Sequence, residues 1–89
     1  MRAIVTVIGK DQVGIIASVC ALLAQQNVNV LDISQTILQE YFTMIMLVDT
    51  GKAALSFAEL ASLLEAEGKK RGLSFLAQRE DIFNAMHRI

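Results

Sequence analysis

The chain has 89 residues, 54% hydrophobic and 19% charged, with eight Lys and Arg against nine Asp and Glu for a net charge of -1. That length holds one domain, residues 1–89, at a size where surface-to-volume scaling leaves stability marginal and burial against a second surface helps. The near-neutral balance leaves no electrostatic footprint for nucleic acid or an anionic membrane, and no apolar run approaches the roughly 18 residues that cross a bilayer.

The first predicted element is the strand AIVTVIG, Ala3 to Gly9, β-branched, read as buried on both faces and broken at Gly9. From Gly14 the spacing becomes helical: Ile15, Ile16, Val19, Leu22 and Leu23 line one face. Asn27 is the expected left-handed stop. Val28 to Gln39 interleaves β-branched and polar residues, with an apolar phase that slips between Val30 and Leu31, which predicts a bulge or an edge strand. EYFTMIMLVD follows after a short connection near Gln39 to Tyr41 and reads as a central strand paired antiparallel to it. Ser56 and Glu59 have capping-box spacing, Leu55 and Leu60 that of a hydrophobic staple, and the helix they begin runs to Gly72 with Phe57, Leu60, Leu63 and Leu64 inward. LSFLAQR is a fourth strand, and from Glu80 the residues Ile82, Phe83, Met86 and Ile89 fall at helical spacing. The order β, α, β, β, α, β with a short extra C-terminal helix predicts an α+β, ferredoxin-like βαββαβ sandwich of four antiparallel strands with two helices on one face.

Such a fold hosts many functions, so the sites must discriminate. Gly9 and Gly14 have the separation of a phosphate-binding loop, but Ile15 and Ile16 stand where its Lys and hydroxyl residue belong. An acylphosphatase-like loop needs an arginine that residues 9–18 lack. RNA readout on this fold needs aromatic side chains on the central strands, and the first strand has none. Cys20 is alone, without the second thiol of a soft-metal site, and excludes an internal disulfide framework. His87 has no nucleophile or carboxylate at a spacing that would make it a base. No catalytic residue, metal ligand or cofactor is therefore assigned. What remains is a helix start where Asp11 can cap, Gly14 permits close approach, and free backbone N–H groups suit a carboxylate; a plain capped turn is the other reading.

The stretch VIGKDQVGIIASVCALLAQQNVNVLDISQTIL followed by EYFTMIMLVD resembles the ACT domain, a small regulatory module that senses amino acids, and in particular the stand-alone bacterial ACT proteins called UPF0237; it is also similar to the ACT units of the glycine cleavage system transcriptional repressor. The resemblance implies a homodimer with ligand held where the first loop of one subunit meets the helix-to-strand junction of the other. Carried over by position, Asp11, Gly14 and Asn29 would contact ligand, and Gln12, Val13 and Ile15 would line the same pocket. Val13 replaces the frequent proline of the family, and Gly9 stands where serine-binding members have histidine, which argues against serine. The predicted edge strand places Val28, Val30, Asp32, Ser34 and Gln35 at the expected interface. The expectation is a cytoplasmic, non-catalytic sensor of an amino acid or related metabolite; the alternative is a subunit that docks on a larger enzyme or regulator without a small ligand.

Overall fold

The structure is a computed structural model that describes residues 1–10 and 13–81. In chain order it comprises β1 (Arg2–Lys10), α1 (Ile15–Gln25), β2 (Asn29–Leu38), β3 (Tyr41–Asp49), α2 (Phe57–Lys70) and β4 (Ser74–Arg79). The strands form one antiparallel sheet in the order β2-β3-β1-β4, the ferredoxin-like arrangement expected from the element order. The expected C-terminal helix starts at Glu80 and Asp81, which are helical; its remainder lies outside the described residues.

Strand alternation builds the core. Ala3, Val5 and Val7 of β1 stand beside Phe42, Met44, Met46 and Val48 of β3 and Phe75 of β4, and all are buried beneath Ile15, Val19 and Leu23 of α1 and Leu60 and Leu64 of α2. Each fully buried leucine contributes about 1.5–3 kcal/mol relative to an exposed one. The reading of β1 as buried on both faces needs correction: Thr6 is half-buried and Ile8 is 47% exposed, because α1 and α2 both pack on the other face. Ile16, placed inward by spacing, also sits at the edge of the helix contact and is partly exposed.

Gly9 does not break the strand. It pairs opposite Phe42 inside β1, and a Cβ at that position would overlap the Leu73 side chain, so glycine is there for packing.

Both helices end in the same way. At α1, Asn27 adopts φ 59, its N–H donates to Ala24 O (3.0 Å), and the N–H of Val28 donates to Leu23 O (2.9 Å). At α2, Gly72 has φ 70, its N–H donates to Lys69 O (3.2 Å), and the Leu73 N–H donates to Gly68 O (2.8 Å). These are Schellman stops, with Val28 and Leu73 buried as the apolar residue that follows each left-handed turn. The start of α2 is the expected capping box, with Glu59 N–H donating to Ser56 Oγ (3.2 Å) and Ser56 N–H to Glu59 Oε1 (3.1 Å).

β2 is an edge strand, and its register slips between Val30 and Asp32, as the phase of its apolar residues predicts. The bulge at Leu31 reverses the alternation. Asp32, Ser34 and Thr36 lie on the open face, while Ile33, Gln35 and Ile37 turn to the helix side. A two-residue turn, Gln39 at φ 56 followed by Glu40, then leads into β3.

Candidate functional site

α1 positions the two halves of the expected site. At its start Gly14 is the N-cap, with φ 86 and ψ 9, a left-handed conformation that costs other L-residues about 1–2 kcal/mol. Its carbonyl accepts the first helical bond, from Ser18 N–H at 2.9 Å. Among the described residues, and apart from its chain neighbours, nothing lies within 4 Å of where a Gly14 Cβ would sit, so glycine serves the turn. The first turn of α1 carries no acidic side chain. Its outward N–H groups and partial positive charge therefore meet no competing carboxylate from the helix itself. Asp11 and Gln12, the expected cap and a pocket residue, lie outside the described residues; Val13 is fully exposed.

Beside this helix start lies a shallow cleft of about 210 Å³ lined by Gly14, Ile15, Ile16, Ala17, Gln35, Ile37 and Phe42. Ile15 is mostly buried beneath it. Gln35 enters the cleft only because the bulge turns it to the helix side, and it is the one side-chain amide among the lining residues. Ile16, Ala17, Ile37 and Phe42 did not emerge from the sequence as site residues. The signal for Ile37 and Gln35 was the slip at Val30, followed through the rest of the strand.

Asn29 is elsewhere. It begins β2 opposite Asp49 and lines a larger cleft of about 410 Å³ with Ala24, Asn27, Val28, Asp49 and Lys52. Asn27 Nδ2 donates to Lys52 O at 2.9 Å, which ties the end of α1 to the loop after β3. The Asp49 carboxylate accepts from Gly51 N–H at 2.8 Å and lies 3.7 Å from the Met1 ammonium. The Gly51 bond, then the positive N-terminus and Lys52, hold its carboxyl below the ordinary range. This end of α1 thus offers an anion, a cation and two amides.

Gly14 and Asn29 are separated by the length of α1, whose eleven residues span about 16 Å. One chain does not bring them together. Between them runs β2, with Asp32, Ser34 and Gln35 exposed along it and Val30 half-buried, while Val28, just before the strand, is buried in the core. The Asp32 carboxylate accepts from Ile33 N–H at 2.9 Å, which satisfies one donor at the bulge.

Among the described residues no group of three or more His, Cys, Asp or Glu is placed to hold a metal, and no helix is long and apolar enough to cross a membrane. Comparison with known proteins agrees with the geometry. A sequence model of the ACT domain matches residues 2–78. The UPF0237 protein of Clostridium acetobutylicum is 56% identical over 89 residues, covering all of both chains. The solved ACT domain protein from Streptococcus pneumoniae superposes with a TM-score of 0.83 at 41% identity, covering 98% of each chain. A candidate glycine cleavage system transcriptional repressor superposes over 86% of this chain and 44% of its own, with a TM-score of 0.76 at 22% identity, a likeness of fold. With the sandwich, the left-handed glycine at the first helix and the bulged edge strand in place, this chain belongs to the ACT domain family, alongside the UPF0237 proteins of the same length.

Proposed function

We propose that the protein is a non-catalytic regulatory module that binds an amino acid or related small metabolite at the interface of a homodimer. The observation that carries this reading is the separation of Gly14 from Asn29 at opposite ends of α1, with an exposed edge strand between them. A two-fold axis through the middle of β2 pairs that edge antiparallel with its copy and reverses it end for end. With the axis at Ile33, Asn29 of one chain stands opposite Ile37 of the other, beside the Gly14 cleft. The cleft alone, about 210 Å³, falls below the roughly 300 Å³ at which small-molecule sites begin, and a partner surface would close it.

The chemistry suits a zwitterion. The α1 N–H groups donate to a carboxylate, while Asn29 and Gln35 both donate and accept. Asp11 is the proposed partner of the ammonium, with Gln12, Val13 and Ile15 completing the wall. Val30, Asp32, Ser34 and Gln35 would face the partner, with Val28 just before the strand. Ligand bound across such an interface favours one dimer geometry over another, which is all that regulation without chemistry needs.

Calorimetric titration of the intact protein with a panel of amino acids tests the proposal. The expected result is heat with at least one of them, lost in Asn29→Ala and Asp11→Ala, whose circular dichroism stays unchanged. No heat with any of the panel, or undiminished heat in both variants, would overturn it.

A further inference from the structure

The cleft that contains Asn29 has about 410 Å³, inside the range of small-molecule sites, whereas the cleft beside Gly14 has about 210 Å³. A ligand held between the two therefore has most of its body on the Asn29 side. The charged groups on that side belong to the end of β3 and the loop that follows it, and this loop is tied down at several points. The Asp49 carboxylate accepts from Gly51 N–H at 2.8 Å, Asn27 Nδ2 donates to Lys52 O at 2.9 Å, and Ala54 N–H donates to Gln26 O at 3.4 Å. Ala53 packs against the core. Asn27 thus does two things: its left-handed backbone ends α1, and its side chain straps the loop to that end. Lys52 leaves from a fixed backbone beside Asn29.

Of the side chains that line this cleft, two are charged, Asp49 and Lys52. The charge of Asp49 is engaged within its own surroundings, by Gly51 N–H and by the Met1 ammonium at 3.7 Å. What the wall offers an occupant is the Lys52 ammonium and the Asn29 amide, with Ala24 and Val28 as the apolar part. The zwitterion proposed above already has its α-carboxylate at the start of α1 and its ammonium at Asp11. Lys52 is a cation beyond that count, and its complement is a second carboxylate.

We propose that Lys52 makes the site selective for an amino acid with an acidic side chain, whose side-chain carboxylate pairs with the Lys52 ammonium while its α-carboxylate meets the α1 start of the other chain. This rests on the interfacial site proposed above and names the ligand class it takes. A charge-assisted hydrogen bond is about twice as strong as a neutral one, so an acid is favoured over its amide of the same shape. Closure by the second chain lowers the local dielectric and strengthens the pair. A neutral side chain in the same place would leave the lysine partly desolvated without a counter-charge. Lys52 also stands near the negative end of α1, whose last turn carries no basic residue. That role affects the stability of the helix, and it predicts no preference between an acid and its amide.

Calorimetric titration of the intact protein with L-glutamate, L-aspartate, L-glutamine and L-asparagine tests this. One of the acids is expected to bind about tenfold more tightly than its amide, or better, as a charge-assisted hydrogen bond provides. In Lys52→Met, with circular dichroism unchanged, the acid should fall to the affinity of its amide, whereas a role confined to the helix end leaves the ratio as it was. Acids that bind no more tightly than their amides, or a preference that survives in Lys52→Met, would overturn the selectivity while the interfacial site stands on the amino acids that do bind. No heat from any amino acid would overturn both.

Discussion

At the scale of single residues, two glycines of α1 and α2 are required for different physical reasons, and substitution separates them. Gly14 holds φ 86 and, among the described residues and apart from its chain neighbours, has nothing within 4 Å of its missing Cβ. Gly68 has ordinary helical geometry, but a Cβ there would meet Phe75 N at 2.9 Å and Leu73 O at 3.0 Å, both backbone atoms of the segment that packs on α2. Gly14→Ala should therefore cost about 1–2 kcal/mol from backbone strain, with Gly14→Asn recovering much of it because Asn tolerates the left-handed region. Gly68→Ala should cost about 1–3 kcal/mol from overpacking, and Gly68→Asn more, since the obstacle is space rather than φ. Urea midpoints of the four variants check the contrast; a Gly68→Asn no worse than Gly68→Ala would refute the packing account. The left-handed Asn27 was legible because an amide after a polar pair at the end of an apolar helical face has few other uses. The tightness at Gly9 and Gly68 was not, since it depends on Leu73 and Phe75, which approach only when β4 docks.

At the scale of elements, α2 is held at its start by a side-chain capping box, and acid should weaken it. Glu59 accepts from the backbone N–H of Ser56, which with the Ser56 side chain holds its carboxyl below the ordinary glutamate range. A carboxyl lowered in the folded state stabilises the fold above the unfolded pKa, and that contribution fades as pH falls through the folded pKa. Glu59→Gln should thus lower the melting temperature near neutral pH, and the gap to the parent should close on acidification. Ser56→Ala removes the other half of the box and should cost about 1 kcal/mol at neutral pH. A melting-temperature gap for Glu59→Gln that is independent of pH would show that the carboxylate charge plays no part. The capping box was readable because its partners are three residues apart. β2 was readable for a related reason: the slip at Val30 and Leu31 is a local interruption of a period-two pattern. What the sequence did not yield is its outcome at a distance, that Gln35 and Ile37 end on the helix side next to Gly14. That follows only when the reversed alternation is carried past the bulge and set beside the start of α1.

At the scale of the whole molecule, the question is whether Gly14 and Asn29 serve one site although about 16 Å of helix separates them. The carry-over of both residues to one pocket holds only in a dimer, and this gives the proposed site an unusually direct test. In a homodimer each site takes Gly14 from one chain and Asn29 from the other, so Gly14→Ala and Asn29→Ala each disable both sites. When the two variants are unfolded together and refolded as an equal mixture, random assortment makes half the dimers hybrid, and each hybrid contains one site with both residues intact. Titration of the mixture should therefore recover about one quarter of the parental site number, with parental affinity, from two proteins that bind nothing alone. A site confined to one chain predicts no recovery whatever the mixing. The same experiment reports on the edge strand, because an added negative charge that spoils antiparallel pairing, such as Ser34→Asp opposite the other chain's Asp32, should abolish recovery and shift the protein toward monomer in sedimentation while leaving the fold intact. Recovery without dimerisation would contradict the pairing of β2, and dimerisation without recovery would remove Asn29 from the ligand site while leaving the fold and its family unchanged.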